Sequence, residues 1–174
     1  MTILNRRQAI AGILAAPLLA RAGAASAATL PAPAGKVILT LSGDVATTNV
    51  EGGARFDLGM LDALPQRSTV TATPWHEGRP TFSGPLLSDV LDAVGASGGT
   101  LRIVALNDYA AEMPASDAAD IPVILATRID GREISVREKG PIFVIYPFDE
   151  RPELFNELYF NRSVWQVVAI EVGP

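Results

Sequence analysis

Six consecutive residues, Asn161-Arg162-Ser163-Val164-Trp165-Gln166, place two amides, a guanidinium, a hydroxyl and an indole at the mouth of an apolar run, Val164 to Val172. Trp75 and Tyr109 add aromatic rings from two earlier loops, and Asn107, Asp108, Asp149, Asn161 and Arg162 stand beside aromatic residues at strand ends. An aromatic wall with a few fixed donors and acceptors suits the binding of a flat, hydrogen-bonding heterocycle. Arginine contributes planar donors and stacks on rings. Tyr146, Phe148 and Phe160 read better as core beneath loops, whereas Trp75, Tyr109 and Arg162 read as pocket. Trp165 fits either role, because alternation from it along the last strand reaches Val167 and Ala169 on the same face.

Catalytic chemistry has little support. His76 is the only histidine and there is no cysteine, which removes thiolate nucleophiles, thiolate metal sites and multi-histidine centres. Neither Ser83 nor Ser163 sits in a Gly-x-Ser-x-Gly elbow, so a hydrolase triad lacks its nucleophile. A carboxylate pair such as Asp108 with Asp149 is easily found by chance among 19 acids. His76 reads as a residue on a pocket rim.

The elements that must position these residues follow from pattern and punctuation. Arg6-Arg7, the apolar stretch Ala9 to Ala20 and Ala25-Ser26-Ala27 read as an export signal over residues 1–27, by a twin-arginine or general secretory route, which predicts a periplasmic protein. Residues 28–35 read as a flexible lead-in and 36–174 as one domain. Three of the 14 basic residues and none of the 19 acids precede residue 28, so 11 basic groups face 19 acids in the remainder, a net charge of −8. Such a surface does not hold a phosphate backbone, and no nucleic-acid partner is expected.

Strands are predicted over Lys36–Gly43, Ser68–Thr73, Thr100–Leu106, Pro122–Thr127, Ile142–Tyr146 and Val164–Val172, with Asp130-Gly131 turning a hairpin into Arg132–Arg137. Asp44–Arg55 reads as a loop, and Phe56–Leu64 as a short helix capped by Asp57. Phe82-Ser83-Gly84-Pro85 reads as the start of the best helix, with Leu86, Leu87, Val90, Leu91 and Val94 on one face and Gly95 at its end. Pro152–Leu158 is a further helical piece. The fold class is therefore α+β, a strand-rich single domain.

Four segments carry a resemblance when taken in order. Phe82-Ser83-Gly84-Pro85-Leu86-Leu87-Ser88-Asp89-Val90-Leu91, Asn107-Asp108-Tyr109 with Met113-Pro114, Gly140 to Pro147, and Ser163-Val164-Trp165 to Ile170-Glu171-Val172 resemble the sulfite oxidase molybdopterin-binding fold. Enzymes of that fold hold molybdenum through a cysteine just before a Trp loop, where this chain has Thr71, Ala72 and Thr73 ahead of Trp75. The chain thus resembles the small exported members that lack the ligand cysteine. The resemblance implies a reduced pterin, such as a tetrahydropterin, bound without metal, and contact with the periplasmic part of a membrane-bound cyclic-di-GMP enzyme. Thr73, Trp75, Asn107, Asp108, Tyr109, Asp149, Arg162, Ser163 and Trp165 are the expected pterin contacts, with Asp108 or Asp149 accepting from the amino group. A molybdopterin oxidoreductase whose metal has only cofactor and oxygen ligands is the alternative, and a fold kept only as an interaction module is a third reading.

Overall fold

A computed structural model describes residues 30–174; the export signal read over residues 1–27 lies outside the described residues. The fold is mixed α+β, rich in strand, and built as one domain. β1 (Val37–Gly43) lies between β2 (Gly53–Asp57) and β11 (Val167–Gly173) in a five-stranded sheet ordered β2-β1-β11-β5-β6, whose central strand is β11. In it β2, β5 (Thr100–Ala105) and β6 (Ala110–Pro114) pair antiparallel to their neighbours, while β1 and β11 run parallel. Leu39, Leu41, Ile103 and Ile170 alternate inward from these strands and are fully buried, as period-two patterning requires.

β3 (Gln66–Val70), β4 (Thr81–Pro85), β8 (Arg128–Ile129) and β9 (Arg132–Glu133) make a second sheet. β7 (Ile124–Ala126) and β10 (Phe143–Ile145) form a buried pair in which every residue is inaccessible. Their uninterrupted apolar sequence reflects cover on both faces. β7 also runs beside β4: the Thr127 amide donates to the Ser83 carbonyl at 2.9 Å, and Leu86 bridges Ile124.

Helices fill the gaps. α1 (Leu58–Asp62) starts at Asp57, whose side chain accepts from the Met60 amide as the sequence predicts. α2 (Leu87–Ala93) buries Leu87, Val90 and Leu91, with Val94 at its C-cap also buried, and Gly95 follows at φ 59°. Seven residues do not sustain a helix alone; burial of about 1.5–3 kcal/mol per large apolar side chain holds it in place. α3 (Ala115–Asp120) follows β6, and α4 (Glu157–Arg162) follows a 3-10 turn at Pro152–Leu154.

Several sequence expectations are corrected. Phe82–Pro85 is strand β4, not a helix start, and Pro85 ends it; pairing to β3 and β8 decides this, and a linear pattern does not contain it. Phe56 belongs to strand β2, inside what reads as loop and helix, because its register lies against Leu39. The strand expected at Ser68–Thr73 is Gln66–Val70, β6 and α3 were not anticipated, and the piece expected over 152–158 divides into the 3-10 turn and α4. In the described part of the lead-in, residues 30–35, the Ala34 and Gly35 amides donate to Asp57, and Asn49 donates to the Pro31 carbonyl. Backbone amides, Gly35 first and then Met60, hold the Asp57 carboxyl below its ordinary pKa.

Most important for the site, the last strand begins at Val167 rather than Val164. Val164 and Trp165 instead run beside β10, where the Val144 amide donates to the Val164 carbonyl and Phe143 bridges Trp165. Gln166, at φ 54°, then swings the chain into the five-stranded sheet. The segment 163–167 is therefore a crossing between two sheets, and a crossing leaves side chains facing the gap.

Candidate functional site

That gap is a cavity of about 400 Å³, within the size range of small-molecule sites. Four rings wall it: Trp75, Tyr109, Phe160 and Trp165. Its polar lining is Asn107, Asn161, Ser163 and Glu157, and Pro74, Ala105 and Val164 complete it.

Each contributor is positioned locally. Asn107 and Tyr109 come from the β5–β6 turn. There Asp108 sits at φ 65°, the Asn107 side chain accepts from the Tyr109 amide at 3.2 Å, and the Ala105 amide donates to the Tyr109 carbonyl at 2.8 Å. Asn tolerates and closes such a turn through its own side chain. The Leu106 amide donates to the Gln166 carbonyl at 2.9 Å and so ties this turn to the crossing. The Tyr109 hydroxyl donates to the Asn161 carbonyl at 3.3 Å, joining it to α4. α4 is capped by Asn156, which accepts from the Leu158 amide at 3.0 Å. The Ser163 hydroxyl donates back to the Tyr159 carbonyl at 2.9 Å, leaving its oxygen lone pairs as acceptors.

Trp75 is the hub of the wall. It meets Phe160 and Trp165 edge-on at centroid distances of 5.9 and 5.7 Å and tilts against Phe143 at 5.5 Å. Such pairs fix ring orientation. The loop carrying it is pinned from below by buried Thr73, whose Oγ1 lies 3.0 Å from His76 Nδ1 and accepts from the Trp75 amide at 3.4 Å.

On the other side of this loop a second cleft of about 420 Å³ is lined by His76, Ile129, Arg132 and Ile134, together with Glu133, Glu138 and Lys139. Desolvation, reinforced by the Lys139 charge, pushes the His76 pKa below its ordinary value, against a smaller opposing pull from Asp130. Lys139 also stands over the Trp165 ring, 5.8 Å from its centroid.

Of the nine expected site residues the cavity gathers Trp75, Asn107, Tyr109, Ser163 and Trp165, and leaves out four. Thr73 acts beneath the loop. Asp108 is an exposed turn residue, set aside from the lining by the backbone twist at its own position. Asp149 accepts from the Ala72 amide at 3.2 Å and pairs with Arg79, while its own amide donates to Thr71 Oγ1 at 3.1 Å; its carboxylate is consumed in closing the end of β3 against the 147–150 turn. Arg162 turns inward, donating from Nη1 to Asp117 Oδ2 at 2.9 Å, with its guanidinium 5.5 Å from the Tyr159 ring centroid.

Tyr146 and Phe148 are buried, whereas Phe160, read as core from sequence, lines the cavity. Glu157 was missed. Correct helix bounds would have found it, since Glu157 and Asn161 are four apart and share a helical face.

No family model matches this chain, and no curated protein matches it. A crystal structure of the sulfane dehydrogenase SoxCD from Paracoccus pantotrophus has a similar fold. It superposes with a TM-score of 0.58 at 15% sequence identity, covering 78% of this chain and 37% of that one. The chain thus spans well under half the length of that protein, and at this identity the likeness shows the fold alone.

Proposed function

We propose that this domain binds a pterin in the cavity walled by Trp75, Tyr109, Phe160 and Trp165. The wall is the observation that carries the reading: four rings around about 400 Å³, with two side-chain amides and a hydroxyl among them, suit a flat bicyclic ring that stacks and presents donors and acceptors along one edge. The finer form of the reading is a metal-free reduced pterin, such as a tetrahydropterin, held by an exported regulator that contacts the periplasmic part of a membrane-bound cyclic-di-GMP enzyme. The ordered resemblance to the sulfite oxidase fold and the absence of cysteine support it.

A second reading is favoured by the fold likeness to a dehydrogenase. In it the chain, or an assembly containing it, is a molybdopterin-dependent oxidoreductase. The lining does not match that cofactor well. No cysteine is available to ligate a metal, and among the described residues no lysine or arginine lines the cavity to balance an anionic cofactor.

The decisive experiment is isolation of the protein from its export compartment, with the absorbance and mass of any bound small molecule and a metal assay. Stoichiometric pterin with little molybdenum supports the first reading. Stoichiometric molybdenum with redox activity overturns it in favour of the second.

A further inference from the structure

Among the described residues Glu157 is the only charged side chain lining the cavity. It lies in the first turn of α4, and its neighbour Asn156 caps that helix through its own side chain. None of the ion pairs among the described residues involves it. Arg162 is paired with Asp117, and Lys139, which stands over the Trp165 ring, lines the other cleft and not this cavity. Among the described residues the lining therefore offers a ligand one carboxylate acceptor and no cation.

We infer that Glu157 is the specificity-determining residue of this pocket: it accepts the donor edge of a neutral heterocycle and excludes ligands carrying a phosphate. This rests on the pterin reading and sharpens it. The 2-amino group and the adjacent ring N–H of a pterin are two donors side by side, which match the two oxygens of one carboxylate. A hydrogen bond to a charged acceptor is roughly twice as strong as one between neutral groups. Glu157 is exposed at the rim of the cavity, and the same negative charge opposes a phosphate brought within a few ångströms of it. Glu157 thus takes the role expected from sequence for Asp108 or Asp149, neither of which lines the cavity; the Asp149 carboxylate is paired with Arg79.

The test uses a matched pair of probes, 7,8-dihydroneopterin and its monophosphate. Binding is followed anaerobically by calorimetry on the mature protein, on Glu157→Gln and on Glu157→Lys, each checked for unchanged melting. The wild-type protein is expected to prefer the unphosphorylated probe by at least about tenfold. Glu157→Gln should weaken that probe about tenfold and narrow the preference, and Glu157→Lys should reverse it. If the unphosphorylated probe binds all three proteins within about twofold, Glu157 has no such role while the pterin reading stands. If the wild-type protein binds neither probe, the pterin reading falls and this inference falls with it.

Discussion

The Arg162 guanidinium and the Tyr146 hydroxyl both donate to Asp117 Oδ2, at 2.9 and 2.7 Å. This ties the end of α4 and the exit of β10 to the first turn of α3, with the Arg162 and Asp117 side chains only 18% and 10% exposed. Burial, then the bond to Asp117, pushes the Tyr146 hydroxyl well above its ordinary pKa, so it remains a donor throughout the physiological range. Arg162 thus braces α4 against α3 and does not line the cavity. Removing it leaves a buried carboxylate with one partner fewer. Arg162→Ala is expected to lower stability by about 3 kcal/mol, and Tyr146→Phe by about 1–2 kcal/mol, both read by urea denaturation. A double-mutant cycle should show coupling between them, because they share an acceptor.

Trp75 and Trp165 separate wall from scaffold. Trp75 contacts three other rings and Trp165 is 37% exposed. Trp75→Ala should cost about 3 kcal/mol of stability, whereas Trp165→Ala should cost about 1 kcal/mol. Each should weaken pterin binding about tenfold, or about 1.4 kcal/mol. Calorimetric titration of the two variants at a temperature where both are folded checks this. Unchanged affinity in both would place the ligand elsewhere.

His76 supplies a pH signature. Its folded pKa lies below the ordinary 6.5, chiefly from desolvation. The unfolded chain therefore binds the proton more readily. The associated stability is fully present above about pH 6.5 and declines as pH falls through that value toward the lower folded pKa. As the only histidine, it gives an unambiguous NMR titration, and a midpoint below 6.5 is expected. His76→Gln should flatten stability across this interval.

Gly84 marks a close approach of two backbones. A Cβ at this position would overlap the Leu125 carbonyl oxygen, and neither backbone has a flexible end to yield. Gly84→Ala is expected to cost about 3 kcal/mol and to be visible as a lowered melting temperature. Gly131, at φ 78° in an open turn with nothing near its absent Cβ, is the comparison: Gly131→Asn should be far milder, because Asn tolerates that conformation.

The sequence by itself determined the strand-rich α+β class, the continuous apolar runs of β7 and β10, the Asp57 cap and the Gly95 stop. Each depends on a short period or a residue's own backbone preference, which a neighbour many positions away seldom reverses. It also determined the aromatic and amide character of the site through Trp75, Asn107, Tyr109 and the Asn161–Trp165 stretch. The tertiary structure decided the rest. Phe82–Pro85 became strand because β3 and β8 pair with it. Arg162 turned inward because Asp117 lies across from α4, while Glu157 came to the cavity through a helix boundary placed a few residues later than sequence suggests. Which way a polar side chain points is set by what the fold brings opposite it, and that partner can lie anywhere along the chain.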